Sequence, residues 1–161
     1  MSTSAASALT DSASTSVESH ILGALSVKPE ECFDFPDGIL GFPACKRFAL
    51  VPAERPNFFW LQSVDCGSLA FLLVDPFAFI DEFYLDLNEG DLLPLKGGRD
   101  SEIGVLAIVT LPRKPDAAPT ANLQGILAFN FTRRLGRQVI VHDSPYGVQW
   151  PMDLGRLKAA S

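Results

Sequence analysis

The sequence predicts an all-β fold: one small, antiparallel, barrel-like domain with short helical turns and a disordered N-terminal tail. Three observations carry this reading. Short runs of apolar, β-branched and aromatic residues recur with period-two alternation. Clusters of Pro, Gly, Asn and Asp separate these runs at short intervals. No pattern of helical period extends beyond two turns. So many apolar strands in a chain of 161 residues would expose their edges, and closing the sheet on itself removes them.

The elements follow in order. From Met1 to Ser16 the chain is dominated by Ser, Thr and Ala and has no aromatic residue. Such a segment buries too little apolar surface to offset its ordering entropy. Residues 1–16 are therefore expected to be a disordered tail, 17–151 the folded domain and 152–161 a loose C-terminal tail. Ile21, Gly23, Leu25 and Val27 alternate with Leu22, Ala24 and Ser26, which predicts a first strand that Pro29 ends. Cys32 to Phe35 makes a second, with Phe33 and Phe35 on one face. Pro36-Asp37-Gly38 is a turn, with Gly38 and Gly41 as structural glycines for backbone that other residues resist. Phe48 to Val51 is a short strand closed by Pro52, and Asn57 to Val64 a longer one carrying Phe58, Phe59, Trp60 and Leu61. Asp65-Cys66-Gly67-Ser68 turns the chain, and Leu69 to Val74 returns as its antiparallel partner.

Asp75-Pro76 ends that strand, because Pro cannot donate to a ladder. Phe83, Leu85 and Leu87 alternate with Tyr84, Asp86 and Asn88, predicting a half-exposed strand with its acids outward. Asp91 to Pro94 suits a helical turn, and Gly97-Gly98 a loop. Ile103 to Leu111 is the most continuous β-branched run and predicts a central strand. Pro112, Pro115 and Pro119 hold the next stretch extended. Leu123 to Phe131 and Gln138 to Val141 form a hairpin joined through Arg133-Arg134-Leu135-Gly136, and Asp143-Ser144-Pro145 is a turn.

Charge is unevenly placed. The net value is −6, yet residues 1–91 carry 14 acidic and 4 basic side chains while residues 92–161 carry 5 acidic and 9 basic. Asp75, Asp81, Glu82, Asp86, Glu89 and Asp91 follow one another with no Lys or Arg between them. Such a face repels phosphates and attracts basic protein surfaces, so no direct nucleic-acid binding is expected. Cys32, Cys45 and Cys66 are odd in number without CxxC spacing, which argues against a disulfide framework or a zinc site and for cysteines buried as small hydrophobes. The start lacks the basic residues and apolar run of a secretory leader, and no apolar run approaches the roughly 20 residues of a membrane span. A cytoplasmic protein that binds no membrane is expected.

Catalytic constellations are weak. His142-Asp143-Ser144 holds the residue types of a hydrolase triad, but neighbours in an extended chain point to opposite faces, and a triad is assembled from distant segments. Gly97-Gly98 lacks the strand-to-helix context of a phosphate loop. Arg133, Arg134 and Arg137 are three charges in a hairpin turn, a solvated loop rather than a nucleic-acid footprint. No enzyme activity, cofactor or metal is expected.

The order Phe35-Pro36-Asp37-Gly38…Gly41-Phe42, Trp60-Leu61-Gln62-Ser63, Leu69-Ala70-Phe71 and Asp75-Pro76-Phe77 resembles the flagellar assembly factor FliW family. Val105 to Thr110, Thr120 to Leu123, Asn130, Gly136 to Val139, and Asp143-Ser144 with Tyr146 continue the resemblance, which spans about residues 18–151. It departs from the family pattern at Gln124-Gly125-Ile126 and at Gln149-Trp150. The resemblance implies a non-enzymatic barrel that binds newly made flagellin in the cytoplasm and antagonises CsrA, a dimeric translational repressor of flagellin with a basic RNA-binding surface. It is expected to be monomeric when free. Granting the family, the acidic face of Asp65, Asp75, Asp81, Glu82 and Asp86 is the candidate CsrA contact. An apolar surface of Phe42, Phe77 and Phe79 is the candidate flagellin contact, since a helical end needs an apolar groove. A barrel lined by Phe also suits the alternative, a carrier of one small apolar ligand.

Overall fold

The computed structural model describes residues 14–97, 101–142 and 144–152. The described chain forms ten strands: β1 (Thr15–Ser19), β2 (Gly23–Val27), β3 (Cys32–Asp34), β4 (Arg47–Pro52), β5 (Phe58–Ser63), β6 (Ala70–Val74), β7 (Ile103–Thr110), β8 (Thr120–Asn130), β9 (Leu135–Ile140) and β10 (Trp150–Pro151). One helical turn, α1 (Glu89–Leu92), and two 3-10 turns, Pro29–Glu31 and Pro76–Ala78, complete it.

Strands β3 to β9 close into a seven-stranded barrel. Every pairing between consecutive strands is antiparallel. Closure is made by one parallel contact, Asp34 of β3 against Leu135 of β9, where the Asp34 N–H donates to the Arg134 carbonyl at 3.0 Å. The β1–β2 hairpin lies outside as a separate two-stranded sheet, and β10 adds to the start of β8.

Period-two alternation sets the inside and the outside. Phe33, Phe35, Phe48, Leu61, Leu73, Leu127 and Phe129 point inward and are buried. Their rings meet edge to face: Phe33 and Phe129 at 5.0 Å, Phe35 and Phe48 at 5.3 Å, Phe35 and Phe129 at 5.7 Å. Each such pair contributes about 0.5–1.5 kcal/mol beyond the area it buries. Gly136 faces inward where the Phe35 ring fills the place of a side chain.

The outer wall is also apolar in places, and three covers shield it. Val17 and Val27 of the β1–β2 hairpin pack over Cys32 and Ala49. Phe79, Ile80, Phe83 and Met152 pack over Phe58, Val74, Ala107, Val109 and Ala121. Leu95, after α1, packs over Ala128 and Val139. These covers explain why strands of a small barrel carry apolar residues on both faces.

Several expectations are corrected. The tail does not reach residue 16: Thr15 and Ser16 pair with Val27 and Ser26, because Val17 gives this polar strand a buried anchor. Residues 1–13 of that tail lie outside the described residues. Met152 is not loose; its side chain is buried and its N–H donates to the Pro119 carbonyl at 2.9 Å. The rest of the expected C-terminal tail, 153–161, lies outside the described residues. Residues 83–88 alternate buried and exposed as predicted but form no strand. The β8–β9 turn is tighter than predicted, because the Asn130 Oδ1 accepts from the N–H groups of Thr132 and Arg133 and starts β9 at Leu135. Of the cysteines only Cys32 is buried.

Candidate functional site

The segment between β3 and β4 is a rigid turn. Gly38 and Gly41 take φ of +69° and +92°, a region open to Gly and costly to other residues. A Cβ on Gly38 would lie 2.7–2.9 Å from the backbone of Phe42 and Pro43. The Gly38 N–H donates to the Phe35 carbonyl (2.9 Å) and the Phe42 N–H to the Ile39 carbonyl (2.6 Å). Lys46 Nζ donates to the Pro36 carbonyl at 2.9 Å, and Arg137 Nη1 meets Asp37 Oδ2 at 3.2 Å. This frame buries Ile39 and holds Leu40 in solvent, 80% exposed.

The turn and β9 flank a groove of about 400 Å³ at one end of the barrel, lined in part by Leu40, Pro43, Gln138 and Ile140. Gln138 ties its walls: its Oε1 accepts from the Leu40 N–H (2.9 Å) and its Nε2 donates to the Gly125 carbonyl (3.2 Å). Gly125 belongs to a bulge in β8, where the Asn122 Oδ1 accepts from the N–H groups of Gln124 and Gly125. A second groove, of about 410 Å³, runs between residues 83–91 and the end of β9. Tyr84, Leu85, Ile140 and Val141 supply apolar walls, Asp86 and Asp91 acid, and His142 and Tyr146 polar edges. Ile140 is common to both grooves.

The five candidate acids do not share one face. Asp65 lies in the β5–β6 turn and Asp75 at the far end of β6, so the five residues of β6 separate them, roughly 17 Å of strand. Asp75 is also engaged in structure, its Oδ1 accepting from the Phe77 N–H at 3.0 Å. Asp81, Glu82 and Asp86 are exposed along the cover segment that borders the second groove. Glu82 holds φ at +56°. The candidate apolar surface is likewise divided. Phe42 (41% exposed) leans on Phe71, and Phe77 (50% exposed) on Phe83. Phe79, at 8% exposed, is core, because the 3-10 turn after Asp75 rotates it onto the barrel wall. Sequence reading did not select Leu40 and Ile140. Leu40 had a signal, an apolar residue between two turn glycines with no strand to bury it.

Ser144 is occupied structurally: its Oγ donates to the Leu123 carbonyl at 3.2 Å and accepts from the Tyr146 N–H. Asp143 of the same tripeptide lies outside the described residues. Cys32 is pushed above the usual thiol range by burial, partly opposed by Arg47. Cys66 sits below that range because Ser68 hydrogen-bonds its sulfur, with Sγ and Oγ 3.0 Å apart. Among the described residues no group of three or more His, Cys, Asp or Glu side chains is placed to hold a metal ion, and no helix is long and apolar enough to cross a membrane.

Residues 16–152 match the family model described as FliW protein. The chain is 33% identical over 131 residues to "Flagellar assembly factor FliW" of Natranaerobius thermophilus, covering 81% of this chain and 87% of that protein. It is 32% identical over 145 residues to the protein of the same description in Treponema denticola, covering 89% and 97%. With that of Moorella thermoacetica it shares 39% identity over 127 residues, covering 77% and 79%. The crystal structure of a flagellar assembly factor FliW superposes with a TM-score of 0.77 at 28% identity, covering 89% of this chain and 99% of that one.

Proposed function

The chain belongs to the FliW family and acts in flagellar assembly, and we propose that it does so without catalysis, by binding flagellin in the cytoplasm and antagonising the translational repressor CsrA. Secretion of flagellin would then free the protein to take CsrA off the flagellin message, coupling translation to export. The observation that carries this reading is the second groove, where apolar walls stand beside the exposed Asp86 and the half-buried Asp91 in the acid-rich part of the chain. A groove of that character suits a partner presenting apolar and basic side chains together, and opposite charge speeds such an encounter. Of the five acids, Asp86 lines the groove, and Asp81 and Glu82 are exposed just before it on the same segment. The filled interior favours a protein-binding role over the apolar-ligand carrier, because Phe33, Phe35, Phe48 and Phe129 occupy the space a ligand would need.

Isothermal titration of the purified chain with flagellin, with the CsrA-type regulator, and with each in the presence of the other tests the reading. Binding to both, one partner lowering the apparent affinity for the other, is the expected result. Binding to neither overturns it. Replacing Glu82 and Asp86 together by Lys is expected to weaken regulator binding about tenfold, the size of effect when close charge pairs are reversed, while the melting temperature stays within about 2 °C, as for exposed substitutions. Unchanged affinity would remove these acids from the contact.

A further inference from the structure

The barrel wall has an open seam. In the β8–β9 ladder the Val141 N–H donates to the Gln124 carbonyl, so the odd-numbered residues of β9 bond to β8. Antiparallel pairing then turns the N–H and C=O groups of Gly136, Gln138 and Ile140 away from β8. Strand β3 meets β9 only at the Asp34–Leu135 bridge. Beyond it the wall beside Gln138 and Ile140 is the first groove, closed by side-chain contacts of the 36–43 turn rather than by a strand. Two consecutive outward-facing residues of a strand edge, at strand spacing, recognise one chemistry, the backbone of another extended chain. The side chains agree: Leu40 on the turn at 80% exposure and Ile140 on the edge strand itself at 45% are large apolar groups in solvent. The turn that buries Ile39 holds Leu40 out in solvent, where it supplies a pre-organised anchor for a partner.

We propose that this seam receives an extended segment of a partner protein, which adds to β9 as a further strand and places alternate apolar side chains against Leu40 and Ile140. The proposal rests on the reading above only in taking the chain to be a protein-binding one; the seam shares Ile140 with the second groove but none of its acids.

Hydrogen exchange of individual amides, measured on the full chain alone and with flagellin or the CsrA-type regulator, tests it. With one of the two partners, the Gln138 and Ile140 N–H groups are expected to exchange about tenfold slower or more, as amides entering a ladder do. Ile140→Pro removes an N–H that β8 does not use, a change edge positions tolerate. Leu40→Asp alters a solvent-facing side chain. Each is expected to lower affinity for that partner about tenfold with the fold intact. If a partner binds while both amides exchange as in the free chain, or if Leu40→Asp, which lies outside the second groove, binds normally, the proposal is wrong although the partner reading stands. If neither partner binds, the partner reading fails. The seam is then decided by selecting random ten-residue peptides displayed on phage against the chain, with counter-selection on the Ile140→Pro variant. Enrichment of alternating apolar peptides upholds the seam, and absence of any enrichment overturns it.

Discussion

At the scale of single residues, two positions show how tightly the interior and the surface constrain chemistry. Gly136 is the one inward position of β9 where the Phe35 ring takes the room of a side chain. Gly136→Ala forces that ring out of its edge-to-face contacts with Phe48 and Phe129. Overpacking of this kind costs about 1–3 kcal/mol, or roughly 2–4 °C of melting temperature per kcal/mol for a domain of this size. Thermal unfolding followed by circular dichroism checks it, and an unchanged midpoint would mean that Phe35 has space to retreat. On the surface, Cys66 has its thiol held below the ordinary range by Ser68, so more of it is thiolate near neutral pH. A thiol reagent at pH 7.5 is expected to label Cys66 first and Cys32 last, Cys32 being buried with its thiol raised. Ser68→Ala is expected to slow labelling at Cys66, and mass spectrometry of the modified peptides reads both outcomes.

Among the elements, the covers matter as much as the barrel strands. Met152 closes the cluster that β10 and the 76–85 segment lay over the outer wall. Met152→Ala is expected to cost about 2 kcal/mol or more, where a loose end would cost nothing; urea unfolding distinguishes the two. The strands from β3 to β9 were legible because alternation and turn residues report them directly. Residues 83–88 show the limit of that signal. Alternation records which side of an extended chain is buried, and here it recorded Phe83 against the wall correctly. It carries no information on whether a neighbouring backbone offers hydrogen bonds, so the segment reads as a strand and folds as a cover. The separation of Asp65 from Asp75 was within reach of the sequence, since a turn and the end of the next strand must lie at opposite ends of that strand. The seam was not, because it depends on how far β3 slides along β9. Tyr146 illustrates the same dependence: its hydroxyl accepts from the Tyr84 N–H at 3.3 Å, a contact between segments that no local pattern announces.

For the molecule as a whole, the acidic first part of the chain and the basic remainder set the long-range field. Association with a basic partner is expected to slow roughly tenfold between low and high salt while dissociation changes little, as for steered encounters. Stopped-flow measurement across ionic strength tests this, and a salt-independent on-rate would confine the contact to apolar groups. The closure of the barrel has a consequence for how the protein is made. Asp34 can meet Leu135 only after β9 has been synthesised, roughly a hundred residues after β3. On the ribosome, β3 and its turn therefore emerge long before the strand that completes them. Nascent chains must hold a half-built, apolar sheet until β9 emerges. The grooves that β9 helps to line come into being only once β9 has emerged, so a copy interrupted before it exposes sticky surface and lacks both grooves.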